Sequence, residues 1–599
     1  MNIRVADYIA NFLIEKGITQ IFSVVGGGAM HLNDAFGHNP NLNGLYNHHE
    51  QASAIAAEAY AQVLNRMAVT CVTSGPGSVN ALTGVVCAYQ DSIPMLVFSG
   101  QTKRELTIRN IGLPLRVMGG QEVDIVSAVR QNMVKFAEMV MEPEKIRYYL
   151  EKAYFLAVSG RPGPCWLDIP VDVQGAYVET EGLESYQPET VNLSPTDEQL
   201  GTVLARFRQA KRPVLYAGNG IRLAGAATLF HRLVNELQIP VVTCWNSIDL
   251  IATEDPCYCG RGGIMGDRPG NFAVQNSDFL LCIGTRLGIC QVGWDVKTWA
   301  REAYTVVVDI DPYELQKPTI RADLAICADA KVFMEGLLAQ LTAPSTAKDW
   351  MQRSQQWKEE YPVVQKCQYE VAGACNVYAF LDTLSRRLPE HTITVAANGS
   401  ASVAGSQTYY IKENDRFLLN GGMGSMGYAL PASIGASLAN GGESVICIEG
   451  DGSIMMNLQE LQTIVTNRLP IKIFVINNQG YQQIRLTQKN TFGNALVGVG
   501  EDSGDLGFPN FKKLAAAFGI PYRCIPSNRD LPGVIDEMIA QQGFALCEVM
   551  VSTDQGFEPK SATKMLEDGT FFSPPLEDMA PFLSREELAK NMYIPLLPE

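Results

Sequence analysis

The chain has 599 residues, too many for one hydrophobic core, so three domains of ordinary size are the natural expectation. Its 46% hydrophobic content can fill such cores and excludes a disordered chain. A formal net charge of −16 argues against nucleic acid as a main partner, because phosphate backbones select basic faces.

Met1-Asn2-Ile3-Arg4 leads directly into an amphipathic helical pattern (Val5, Tyr8, Ile9, Phe12, Leu13), with no signal-peptide pattern, and no apolar run reaches membrane-spanning length. The fourteen cysteines include no Cys-x-x-Cys pair, and Cys71 and Cys447 fall in strand-like runs. Reduced, buried thiols in a cytoplasmic, multidomain protein are therefore expected.

In chain order, residues 1–181 alternate helix and strand signals. After the first helix come a strand at 21–25, a helix at 51–64, a strand at 68–72, a helix past Ser78 and a strand at 95–98. Gly26-Gly27-Gly28, Gly75-Pro76-Gly77 and Gly160-Arg161-Pro162-Gly163-Pro164 punctuate them. Such alternation predicts a parallel sheet covered by helices. A polar stretch near 182–197 reads as a linker. A second α/β unit follows at 198–342, with strand patterns at 213–218, 279–284 and 305–309. Polar residues around 343–348 lead to a third unit at 370–556. The tail, 557–599, carries Ser573-Pro574-Pro575 and Pro595-Leu596-Leu597-Pro598 without periodicity, and is expected to lie on the surface as an extended arm. The predicted fold class is α/β, with three doubly wound parallel-sheet domains.

The third unit holds the most informative motif. Glu449-Gly450-Asp451-Gly452-Ser453 ends one short apolar strand, and Asn477-Asn478 ends the next, at 471–476. An amphipathic stretch (Leu458, Leu461, Ile464, Val465) lies between, giving a parallel strand–helix–strand crossover. Its strand ends would lie side by side at the carboxyl edge of the sheet, where open α/β folds bind ligands. Gly450 and Gly452 permit a tight turn close to phosphate oxygens. Asp451 offers a hard carboxylate, Asn478 an amide oxygen, and Gly480 a backbone carbonyl. Together they suit Mg²⁺, which takes few protein oxygens and leaves the rest of its octahedron to a diphosphate and water. A lone Gly-Asp-Gly is commonly a turn, and Asn-Asn is common in loops. Spacing and strand context favour the cation–diphosphate reading.

These residues resemble the thiamine-diphosphate (ThDP) signature. Similarity to the pyruvate oxidase and acetohydroxyacid (acetolactate) synthase superfamily extends over nearly the whole chain. It is densest at His49-Glu50-Gln51 with residues 56–61, at Thr73-Ser74-Gly75-Pro76-Gly77, at 157–164 and at 421–432. The resemblance implies an N-terminal pyrimidine-binding domain, a central Rossmann-like domain and a domain for diphosphate and Mg²⁺. It also implies a cofactor shared between two subunits, hence a homodimer or homotetramer.

By the same resemblance, Glu50 would hydrogen-bond the pyrimidine ring and carry the proton relay, whereas taken alone it is a favourable charge at a helix N-terminus. Glu58 keeps that ordinary reading. Gln121 and Lys135 would face the substrate. Gly26, Gly27, Ser74, Pro76, Asn80 and Gln101 would line the cofactor from the first unit. Gly399, Ser400, Gly424, Gly450, Gly452, Ser453 and Tyr481 would line it from the third, with Met426 forcing the bent cofactor shape. The second unit resembles the flavin-binding domain of acetohydroxyacid synthases, with Gly218, Gly220, Arg286 and Asp309 as candidate FAD contacts. Related decarboxylases keep this domain without FAD, so both outcomes stay open.

Three departures bear on substrate. Gly120 stands where the synthases carry phenylalanine before Gln-Glu, Thr487 where they carry tryptophan, and Val25 where they carry proline. Losing two aromatics opens space for a different acceptor. Arg485 is a candidate to meet an anionic acceptor, its alternative being an exposed salt-bridging residue. The resemblance implies decarboxylation of a 2-keto acid such as pyruvate, with transfer of the acyl carbanion to an acceptor carbonyl. The alternatives are acetyl transfer to a keto-sugar nucleotide and a decarboxylase that does not ligate.

Overall fold

The computed structural model describes residues 2–118, 120–189, 191–493, 495–565 and 571–598. Thr190 of the expected linker, and residues 566–570 and 599 of the expected arm, lie outside them.

The first domain is a parallel sheet of β1 (Gln20–Ser23), β2 (Asn43–Tyr46), β3 (Ala68–Val72), β4 (Met95–Gln101), β5 (Phe136–Met139) and β6 (Pro164–Pro170), in the order β2-β1-β3-β4-β6-β5. β3 and β4 are buried along their whole lengths, which explains their unbroken apolar runs: helices cover both faces of the sheet. Two of these helices carry site residues, α1 (Glu50–Leu64) and α2 (Pro76–Asp91).

The central domain holds β7 (Pro213–Ala217), β8 (Val241–Thr243), β9 (Tyr258–Arg261), β10 (Phe279–Ile283), β11 (Tyr304–Asp309) and β12 (Leu324–Cys327). Their order, β9-β8-β7-β10-β11-β12, reverses direction between β7 and β10, and a crevice opens at such a switch point.

The third domain repeats the topology of the first. β13 (Ile393–Ala396), β14 (Arg416–Leu418), β15 (Val445–Gly450), β16 (Ile471–Asn477), β17 (Tyr522–Ile525) and β18 (Ala545–Met550) pair in parallel in the order β14-β13-β15-β16-β18-β17. Helix α3 (Ala429–Ala439) packs on α1, with α2 on the other side of α1. Small residues make this close approach possible. A Cβ on Gly435 would fall 1.9 Å from the Ala56 carbonyl oxygen, and one on Gly84 would fall 2.5 Å from Ala54 Cβ. The first and third domains therefore meet helix to helix, and their sheets hold a fixed relation.

The tail differs from its expected form. Phe557, Leu576, Glu577 and Met579 are buried, and a short helix forms at Arg585–Lys590. Asn591 accepts the Trp357 indole N–H at 2.8 Å, and its carbonyl accepts Asn276 Nδ2 at 2.9 Å. Leu576 and Leu588 join Trp350 and Trp357 in one apolar cluster beside the central sheet. The segment packs through separated anchors rather than one continuous face, so it shows no sequence period. All fourteen cysteines are free, and burial pushes the Cys71 thiol up to about 12. Among the described residues, no helix is long and apolar enough to cross a membrane.

Candidate active site

β15 and β16 run in register with Gly450 beside Ile476, and Asp451 N–H donates to the Ile476 carbonyl at 3.0 Å. This places the Asp451 turn next to Asn477-Asn478. Asp451 is buried; its Oδ1 accepts Gly452 N–H at 2.7 Å and its Oδ2 accepts Gly480 N–H at 2.9 Å. Burial pushes its pKa up to about 7 in spite of these bonds. Asn478 donates through Nδ2 to Ser400 Oγ at 3.3 Å, while its Oδ1 is buried without a partner. A buried acceptor left open beside a carboxylate calls for a cation or a donor. Among the described residues, no group of three or more His, Cys, Asp or Glu side chains is gathered as a metal site. A cation here would depend on mixed oxygen ligands.

Gly480 has φ +138°, and a Cβ there would lie 1.9 Å from the Val499 carbonyl oxygen, so only glycine fits. Tyr481 packs over Gly452, with its ring edge-on to Phe508 at 5.8 Å. Beneath this loop lies Arg485, which corrects its reading as an acceptor-facing or exposed arginine: it is fully buried. It donates to the carbonyls of Asn478 at 3.0 Å and Gln479 at 2.7 Å, and pairs with Asp502 at 2.8 Å. The guanidinium is consumed in shaping the Asn478–Gly480 turn.

The other residues expected on the phosphate side gather here. Gly399 and Ser400 begin the helix Ser400–Thr408, whose free N–H groups favour an anion. Ser453 Oγ accepts Gly427 N–H at 2.9 Å, tying the Gly424–Gly427 loop to the Asp451 turn, with Met426 half-buried between its glycines.

The first domain supplies the second group. His49 caps α1 by accepting Gln51 N–H at 3.1 Å, and Glu50 follows as the first helical residue. Glu50 is half-buried; its Oε2 accepts Asn80 Nδ2 at 3.0 Å from the first turns of α2, and Gly77 faces Oε1. Gly26 sits so close to Thr73 that a Cβ would clash at 2.4 Å, and Gly28 N–H donates to Thr73 Oγ1 at 3.1 Å. Gly26, Gly27, Ser74, Pro76 and Asn80 thus share the carboxyl edge of β1 and β3 with Glu50. Gln121 is exposed, and its carbonyl lies over Gly75 at the entrance to α2.

Two expected site residues are engaged elsewhere. Gln101 is buried; its amide donates to Asp168 Oδ2 at 3.1 Å and the Val123 carbonyl at 3.0 Å, and its oxygen accepts Thr102 N–H. Through the Val123 carbonyl it braces the loop that carries Gln121. Lys135 donates to the Ser159 carbonyl at 2.7 Å and lies along Gly163, with its pKa lowered by burial. That loop borders the central cavity, apart from Glu50.

The cavity has a volume of about 780 Å³ and lies where the central and third domains meet the Asp91–Ser92 and Gly160–Pro162 segments of the first. Gly218, Gly220, Arg286 and Asp309 all line it, and it reaches Gly399 and Gly424. The first two glycines let the ends of β7 and β10 touch: a Cβ on Gly218 would lie 2.0 Å from the Gly284 carbonyl oxygen. Burial raises the Asp309 pKa.

Comparison with known proteins decides the family. Residues 3–128 match the thiamine pyrophosphate enzyme N-terminal TPP-binding domain, 200–337 the central domain, and 397–549 the C-terminal TPP-binding domain. Acetolactate synthase 1, chloroplastic, of Zea mays is 32% identical over 561 residues, covering 91% of this chain and 85% of the relative. The acetolactate synthase isozyme 2 large subunit of Escherichia coli K12 is 30% identical, covering 91% and 95%. The chain belongs to the acetolactate synthase family of thiamine-pyrophosphate enzymes. Glu50 falls within the matched N-terminal TPP-binding domain, and Asp451 and Asn478 within the matched C-terminal one. Sequence reasoning missed Thr73, which seats the Gly26–Gly28 loop, and misread Glu58, which is fully buried between domains. A lone acid within the alanine-rich face of α1 was the available cue.

Proposed function

We propose that this enzyme decarboxylates a short 2-keto acid of the pyruvate class and transfers the resulting acyl carbanion to an acceptor carbonyl, with ThDP and Mg²⁺. The observation that carries this reading is Glu50, a half-buried carboxylate held by Asn80 through one oxygen. Its Oε1 remains directed toward Gly77, free to exchange a proton with the pyrimidine ring of a bound cofactor. ThDP, when bound, supplies the carbon nucleophile and the electron sink for loss of CO₂. Asp451, the open Oδ1 of Asn478 and the Gly480 backbone would hold Mg²⁺, and Ser400 and Gly399 would receive diphosphate oxygens.

Incubation with ThDP, Mg²⁺ and pyruvate should release CO₂ and form acetolactate or an adduct with another acceptor. No CO₂ from any short 2-keto acid would overturn the proposal. Release of free aldehyde without a new C–C bond would favour the non-ligating decarboxylase.

A homodimer or homotetramer belongs to the same proposal. The 780 Å³ cavity of one chain includes Gly399 and Gly424 but not Glu50. Apolar side chains are bare on both halves: Val25 is 61% exposed beside Gly26 and Leu113 57% exposed in the segment leading to Gln121, and Ile484 50% and Met423 44% exposed beside the Asp451–Gly480 and Gly421–Gly427 loops. A second copy could cover both. FAD is part of the proposal for the central cavity, supported by its volume and by its four lining residues at strand ends. A yellow purified protein with a flavin absorbance band would bear that out. Residence in the cytoplasm is supported by the fourteen free thiols.

One observation favours a keto-sugar nucleotide as acceptor. A side chain at Gly120 would meet nothing within 4 Å, and Thr487 turns its hydroxyl back to the Gln483 carbonyl at 2.9 Å. Both positions leave room where the synthases have aromatics. Mass spectrometry of products from pyruvate with keto-sugar nucleotides separates this reading from ordinary acetolactate formation.

A further inference from the structure

Asp91 is the last residue of α2, the helix whose first turns carry Pro76 and Asn80. It is almost fully buried, and both its oxygens are engaged by the third domain: Oδ1 accepts Gly422 N–H at 2.8 Å, and Oδ2 accepts Asn420 Nδ2 at 2.7 Å. Asn420 in turn organises the loop that follows, its carbonyl accepting Gly424 N–H at 3.1 Å and its side-chain oxygen facing Ser425 N–H at 3.5 Å. A Cβ on Gly422 would lie 2.7 Å from Gln90 Cβ, so the loop is seated directly on the helix end. The central domain fixes the same turn from its other side. Arg286 donates to the Gln90 carbonyl, while Arg161, of the first domain itself, donates to Ser92 Oγ at 2.8 Å and pairs with Asp311 of the central domain at 3.1 Å.

We propose that Asp91 is a positioning residue for cofactor binding: it holds the Asn420–Ser425 loop where Gly424 and Met426 meet the cofactor. The inference rests on ThDP being the bound group. Four glycines in Gly421–Gly427 make this loop costly to order, and an anchor from a rigid helix removes that cost before the cofactor arrives. Asparagine at position 91 would keep the shape but turn one N–H donor toward another.

The test uses the full-length protein with saturating Mg²⁺, reading ThDP binding by tryptophan fluorescence, turnover by CO₂ release, and the melting temperature without cofactor. Asp91→Asn should weaken ThDP binding at least tenfold, while the cofactor-free melting temperature stays within a few degrees. The paired exchange Asp91→Asn with Asn420→Asp restores complementary donors and acceptors, and should recover most of the lost affinity. Wild-type affinity and turnover in Asp91→Asn would overturn the proposal. A parallel fall in melting temperature with no recovery in the paired variant would do so too. Absence of ThDP binding by the wild-type protein would remove the functional reading itself, and this inference with it.

Discussion

The Tyr428 hydroxyl donates to Glu58 Oε2 at 2.6 Å, joining α1 of the first domain to the start of α3 in the third. Gln62 donates to the other oxygen of the same fully buried carboxyl. Burial raises Glu58 from 4.5 to about 8, against the opposing effect of these two bonds.

A pH dependence follows. The folded pKa lies above the unfolded value, so Glu58 contributes its full stability below about 4.5, and loses it as pH rises toward 8. Asp168, raised to about 7, acts with the same sign. Thermal midpoints should fall between pH 5 and pH 8, and the fall should be shallower in Glu58→Gln. Equal slopes in the two proteins would show that Glu58 does not set the trend.

Replacing Glu50 with glutamine preserves an acceptor for Asn80 but removes the group that exchanges a proton. CO₂ release should drop by about 10²- to 10⁴-fold, the usual scale for general acid–base groups. ThDP affinity should change only a few-fold. Fluorescence titration set beside single-turnover CO₂ measurement checks both halves of this expectation.

Asn478→Ala deletes the open buried oxygen next to Asp451 and leaves the fold's backbone contacts intact. The Mg²⁺ concentration needed for half-maximal cofactor binding should rise at least tenfold. Chelation with EDTA should release cofactor from the wild-type enzyme. An unchanged Mg²⁺ requirement would exclude Asn478 from the cation site.

Arg485 spans two carbonyls of the Asn478–Gly480 turn and the Asp502 carboxylate. Arg485→Leu leaves these groups without their donor and should cost about 3 kcal/mol of stability. Lysine, a point donor without the planar fork, should recover only part of the loss. Calorimetry of the three proteins tests the order wild type, lysine, leucine.

Much of the architecture was legible in the sequence because both-sides-buried strands write themselves as short apolar runs. The runs in β3, β10, β11 and β15 were read almost to their ends. The Asp451–Asn478 juxtaposition was legible for the same reason, since parallel neighbours bring equivalent strand ends together. Arg485 was not, because a charged side chain on an amphipathic helix carries no mark of the carbonyls it will meet. Glu58 and Asp91 were missed on similar grounds: their partners come from another domain more than 300 positions away. Gln101 and Lys135 show the converse, with plausible positions in the chain but side chains already committed to Asp168 and Ser159.

The buried C-terminal segment has a bearing on biosynthesis. Trp350 and Trp357 emerge from the ribosome long before Leu576, Leu588 and Asn591, which complete their surroundings. Until translation ends, the flank of the central domain stays greasy and unsealed, an opening for chaperones or for aggregation. Shortened transcripts or tightly fused C-terminal tags should therefore reduce soluble yield even when every catalytic group is intact.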